Sequence, residues 1–102
     1  KDEINAIWCA FDQLAYAAGD VVRERGLKNV IITGVDGNEE TFRRIKNGQM
    51  TATVAQPFEE MALKAIELVD KIVVKRMDRH SAAPQKIIYV DAPLIDKNNV
   101  PQ

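Results

Sequence analysis

The sequence is poor in the residues that build reactive centres. It has one cysteine, Cys9, and one histidine, His80, among 102 residues. A single cysteine excludes an internal disulfide, and Cys9 lies in an apolar stretch where a buried, inert thiol is expected. His80 falls in the loop HSAAPQ, outside any triad order, so nucleophilic catalysis is not expected. No CxxC or HExxH offers metal-ligand spacing, and Gly34-Val35-Asp36-Gly37 is neither GxGxxG nor a P-loop. The acids, hydroxyl and lysine of a phosphoacceptor receiver cannot be traced either. We therefore expect no enzyme activity, no metal and no other cofactor.

Long apolar runs are missing too: none is long enough to cross a bilayer as a helix. Charge of one sign is not in excess: 14 basic residues stand against 15 acidic ones, for a net charge of -1. Such a chain makes no field that gathers nucleic acid or anionic lipid. The densest basic group, Lys75-Arg76 to Arg79-His80, falls where a helix should end, and cations there oppose the helix dipole. The start Lys1-Asp2-Glu3 reads as a cut into a longer sequence.

What the chain does have is two alternating periodicities. Asn5 to Phe11, NAIWCAF, is a short apolar run of the kind buried on both faces of a sheet. Beyond Asp12, Leu14, Ala18, Val21 and Val22 recur at helical spacing, and Gly26 stops the helix. A second strand follows from Asn29. Asn38 is placed to cap the next helix, with Glu39 and Glu40 in its first turn, Phe42 and Ile45 inward, and Gly48 at its end. Met50 to Gln56 is a β-branched strand. Pro57 opens a helix to about Arg76, striped by Phe58, Met61, Ala62, Ala65, Val69, Ile72 and Val73. After the HSAAPQ loop, KIIYVDAPLI reads as a last extended segment interrupted by Pro93. The order βαβαβαβ predicts an α/β fold, a parallel sheet with flanking helices joined by right-handed crossovers.

One stretch, NVIITGVDGNEE, poses a question of chemistry. A buried strand of Val30, Ile31 and Ile32 has no use for a carboxylate at its tip, yet it ends in Asp36. In open α/β sheets ligands bind beyond the carboxyl ends of the strands. Those ends are here Asp12, Asp36 and Gln56. Carboxylates there can accept hydrogen bonds from vicinal hydroxyls, and an amide both donates and accepts. Phe11 could offer a ring face to the apolar side of a sugar. Each residue also has a plainer reading: Asp12 as a helix cap, Asp36-Gly37 as a turn pair, Gln56 as a cap substitute, and Phe11 and Trp8 as core.

Phe11-Asp12, GVDGNEE, IKNGQMTATVAQPFEEMALKAIE and the tail APLIDKNNV together resemble the C-terminal part of type I periplasmic sugar-binding proteins. These are the ribose-binding-protein-like components of ABC importers. The similarity covers nearly the whole chain, and the spacing from GVDG to TATVAQP is its most telling element. Family members have two α/β lobes of flavodoxin-like type, joined by three crossover strands, with ligand held between them. The resemblance makes residues 1–102 a single partial domain. Residues 1–56 match the second half of the C-terminal lobe, and 57–102 the hinge-crossing helix with the closing strand and tail.

It also implies that Asp36 accepts sugar hydroxyls and that Gln56 hydrogen-bonds the ring or a hydroxyl from the hinge. The position before Asp12, often asparagine in the family, is Phe11 here, which puts ribose itself in doubt. Implied partners are a small sugar, a membrane ABC permease, and a missing N-terminal lobe or companion chain; the implied location is the periplasm. A chain of this extent would carry one wall of the cleft and could self-associate. Two other readings share the pattern: the effector domain of a LacI-type transcription regulator, and a small stand-alone flavodoxin-like module.

Overall fold

The structure, a computed structural model, describes residues 4–102. Three strands, β1 (Ala6–Trp8), β2 (Ile31–Asp36) and β3 (Ala52–Ala55), run parallel in that spatial order. The crossovers between them are α1 (Asp12–Glu24) and α2 (Glu39–Lys46). Asn38 caps α2 as its sequence position predicts, its side chain accepting from the Thr41 N–H at 3.1 Å. Both helices stop at glycines with positive φ, Gly26 at 63° and Gly48 at 72°, where a side chain would strain the backbone. α/β is the fold class.

The last strand departs from expectation. β4 (Leu94–Asp96) runs antiparallel to β3, with Leu94 opposite Val54 and Asp96 opposite Ala52. The chain leaves the sheet after β3 and returns beside that same end, where the Ala55 N–H donates to the Pro93 carbonyl at 2.9 Å. A strand that re-enters at the end it left must run backwards. The extended segment expected from Lys86 shrinks to these three residues, and Pro93 precedes the ladder rather than breaking it.

The chain divides into two compact units. One comprises the residues up to Gln56 with Ala92–Gln102, and the other is Pro57–Asp91. Within the first, Cys9, Ala15, Ile32, Ile45, Met50 and Ile95 form the buried core. Ile32, Gly34, Thr53 and Ile95 share the sheet face on which α1 and α2 lie. The opposite face carries Trp8, Ile31 and Leu94, which are 73%, 52% and 59% exposed. So β1, expected to be buried on both faces, is an edge strand with one open face. Its apolar run reports the sheet, not the covering layer.

The second unit holds α3 (Phe58–Val69), a π-helical segment Asp70–Val74, and α4 (Arg79–Ala82), a turn of helix where a loop was expected. Asp78 accounts for that turn, accepting from the Ser81 N–H at 3.0 Å as its N-cap. No residue of α3 is buried. The basic residues expected at one helix end are spread over the π segment's end, where Lys75 pairs with Asp70 at 2.7 Å, and over α4.

Candidate functional site

Asp12 is the first residue of α1 and has no exposed surface. It does not cap its own helix; the N-cap is Phe11, whose side chain makes no capping bond. Its carboxylate reaches outward from the helix to three donors on other elements. Oδ2 accepts from the Gly37 N–H at 2.8 Å and from the Thr41 hydroxyl at 2.6 Å, and Oδ1 accepts from the Thr53 hydroxyl at 2.7 Å. Asp12 thus stands at the N-terminus of α1 and faces that of α2, where the partial positive charge of both helices favours an anion. The Tyr16 hydroxyl adds to this cluster: it lies 2.6 Å from Thr41 Oγ1 and donates to Asn38 Oδ1 at 2.8 Å.

The glycines of the GVDG motif follow from this geometry. A Cβ on Gly34 would overlap Asp12 Oδ1 and lie 3.1 Å from the Asp12 Cα. Gly37 has φ 78°, and a Cβ there would come 2.6 Å from that of Ala55. One glycine lets the start of α1 sit against β2, and the other lets the β2–α2 turn lie against β3.

Asp36, between them, is the strained residue. Its φ of 137° is a conformation that L-residues rarely hold. The neighbouring strand tip fixes it twice: the Gln56 N–H donates to the Asp36 carbonyl at 2.9 Å, and Gln56 Nε2 donates to Asp36 Oδ1 at 2.8 Å. Both residues are half-buried, and Phe11 is 44% exposed. Of the four residues singled out from sequence, the structure therefore links Asp36 directly to Gln56. It links Asp12 to Gly37, the residue after Asp36, and leaves Phe11 at the mouth of α1. Trp8, weighed as core, is exposed.

Sequence reasoning missed Thr41, Thr53 and Tyr16. Thr41 had a signal, standing three residues after the cap Asn38, where a side chain can turn back to the helix start. Thr53 had none beyond its place in a β-branched run. Among the described residues no group of three or more acidic, histidine or cysteine side chains could hold a metal ion.

Residues 1–76 match the family described as periplasmic binding protein domain. The chain belongs to that family. Among its relatives, the ribose import binding protein of Bacillus subtilis is 31% identical over 86 residues, covering 83% of this chain and 28% of its own length. The D-allose-binding periplasmic protein of Escherichia coli is 36% identical over 67 residues, 65% of this chain and 22% of its own. A solved ABC transporter periplasmic solute-binding protein from Actinobacillus succinogenes, with D-allose bound, superposes with a TM-score of 0.71 at 29% identity. That superposition covers 93% of this chain and 32% of the solved one. A Caulobacter myo-inositol-binding protein with its ligand gives a TM-score of 0.66 at 30% identity, over 94% and 31%. The chain thus spans about a quarter of the length of the curated periplasmic binding proteins it matches. These relatives are named as binding proteins, not as catalysts.

Proposed function

We propose that this chain supplies one wall of a sugar-binding cleft in the solute-binding component of an ABC importer, acting in the periplasm and delivering to a membrane permease. The observation that carries the reading is the strained Asp36 held by Gln56 across two adjacent strand tips. Strain persists where surroundings over-determine it, and it gathers at ligand sites. Gln56 engages one Asp36 oxygen, Oδ1. Asp36 Oδ2 and Gln56 Oε1 then remain as acceptors for ligand hydroxyls. A polyhydroxylated ring meets this pair with its hydroxyl edge, while Phe11 serves its apolar face. A sugar lacking a hydroxyl at the right place would leave buried acceptors unpaired, which is the source of discrimination. A second lobe or companion chain completes the cleft. Nothing in this chemistry transforms the ligand.

The test is calorimetry on the full protein that carries this sequence, with D-ribose, D-allose and myo-inositol as probes. Saturable binding that Asp36→Ala weakens supports the reading. Unchanged affinity in that variant would reduce Asp36 to a turn residue.

A further inference from the structure

Asp12 has no exposed surface, and its carboxylate makes three hydrogen bonds to distant parts of the chain, which need a reason. Two of its partners flank Asp36 in the chain or across the sheet. Gly37 follows Asp36 directly, and Thr53 is two residues before Ala55, the Asp36 partner in the β2–β3 register. The third, Thr41, sits in the first turn of α2, to which the Asp36-Gly37-Asn38 turn leads. The Asp12 carboxylate therefore pins the residue after Asp36, the helix beyond it and the strand beside it to one point. The strained φ of Asp36 is set between that point and the Gln56 clasp.

We propose that Asp12 is a positioning residue for ligand binding: through Gly37, Thr41 and Thr53 it holds the Asp36 backbone in the conformation that presents its carboxylate, without itself touching ligand. This rests on the reading of Asp36 as a ligand contact. It makes a specific claim about energetics. Loss of one Asp12 bond should lower the affinity of the folded protein, since Asp36 is freed to relax from its strained state. A purely structural Asp12 would lower the melting temperature and leave the affinity of the folded fraction as it was.

The test uses Thr53→Val, which removes one donor to Asp12 at nearly constant volume, and Thr53→Ser, which keeps it, both in the full protein. Thr53→Val should weaken D-allose or D-ribose binding roughly three- to tenfold, well below its melting temperature, and Thr53→Ser should restore it. Neutral affinity in a folded Thr53→Val would overturn the positioning role. A parallel NMR arm reads the Asp36 backbone directly through its HN–Hα coupling and the Gly37 amide shift, with no sugar present. Both should move in Thr53→Val and return in Thr53→Ser; unmoved signals overturn the proposal even if no probe sugar binds. If Asp36→Ala leaves affinity unchanged while the Asp36 backbone still responds to Thr53→Val, the ligand reading fails and the coupling of Asp12 to Asp36 stands.

Discussion

The two units of this chain are both rich in apolar residues and have opposite interiors. The unit of β1, β2, β3 and β4 with α1 and α2 encloses Ile45 at 1% exposure, together with a polar knot of Asp12, Thr41 and Thr53 at 0%. The unit of α3, the π segment and α4 presents Phe58, Ile66, Val69 and Val73 at 57–65% exposure. Apolar content alone therefore does not make a core. What separates the units is layering: a sheet gives two helices a common surface to cover, whereas a helix with a short hairpin of turns has no second layer of its own.

The largest consequence is for stability. Ile45→Ala should destabilise the chain by about 3 kcal/mol, since a buried isoleucine lost from a packed core removes transfer energy and leaves a cavity. Ile66→Ala, on the exposed stripe of α3, should change it by less than about 0.5 kcal/mol. Urea denaturation followed by circular dichroism measures both, with Ile45→Val as a milder substitute if the alanine variant does not fold. Equal effects would mean that the two units share one interior.

The second consequence concerns the tip of the sheet. Asp36→Ala should weaken sugar binding by about tenfold or more, because a charge-assisted hydrogen bond contributes about 1.5–3 kcal/mol. Stability should rank the other way for glycine: Asp36→Gly should be more stable than Asp36→Ala by about 1 kcal/mol, since glycine holds φ 137° without strain. Calorimetry and thermal melts of both variants check the pair. An alanine variant as stable as the glycine one would remove backbone strain from the account.

A third, smaller effect is expected in solution behaviour. The α3 stripe and the open sheet face of Trp8, Ile31 and Leu94 are apolar surfaces that favour association. The 102-residue chain on its own should therefore elute as a dimer or larger species at rising concentration. Ile66→Lys should shift it toward monomer without loss of secondary structure. Light scattering on a sizing column decides. A monomer at every concentration would mean that these faces are silent.

How much of this was legible in the sequence depends on whether a residue's partner is local. Asn38 and Gly48 were read correctly because capping and helix termination are decided within a few residues. Asp36 and Gln56 could be singled out as strand tips, but not their mutual bond, which depends on β2–β3 register over 20 residues. Asp12 was read as a cap or a ligand contact. Its real partners lie 25, 29 and 41 residues away. β4 was misjudged in direction because strand polarity is set by where the chain re-enters the sheet, which no local pattern encodes. The burial expected for β1 failed for a similar reason: an apolar strand sequence says nothing about which faces other layers cover.

The smallest effect sits on the outer surface of α2, where Glu40 accepts from Arg43 at 2.7 Å and from Arg44 at 2.6 Å. The hydrogen bond from Arg43, then that from Arg44, holds the Glu40 carboxyl below its ordinary pKa. Arg44 is in turn raised, first by Glu40 and then by Asp20, and its guanidinium lies 4.6 Å from the centre of the Tyr16 ring. A carboxyl whose pKa is lowered on folding stabilises the folded state above its unfolded value, ordinarily about 4.3, and that contribution is lost as pH falls through the lowered folded value. Glu40→Gln should therefore melt slightly below the parent at neutral pH, and the two should converge on acidification from about pH 4.3 downward. Because the Glu40 side chain keeps 38% of its surface in solvent, water and salt screen the pair, and the gap should also narrow in high salt. Paired thermal melts across pH and salt measure it. A gap that widens toward acid would reverse the assigned direction and show that Glu40 hinders the α2 surface rather than helping to hold Arg44 over Tyr16.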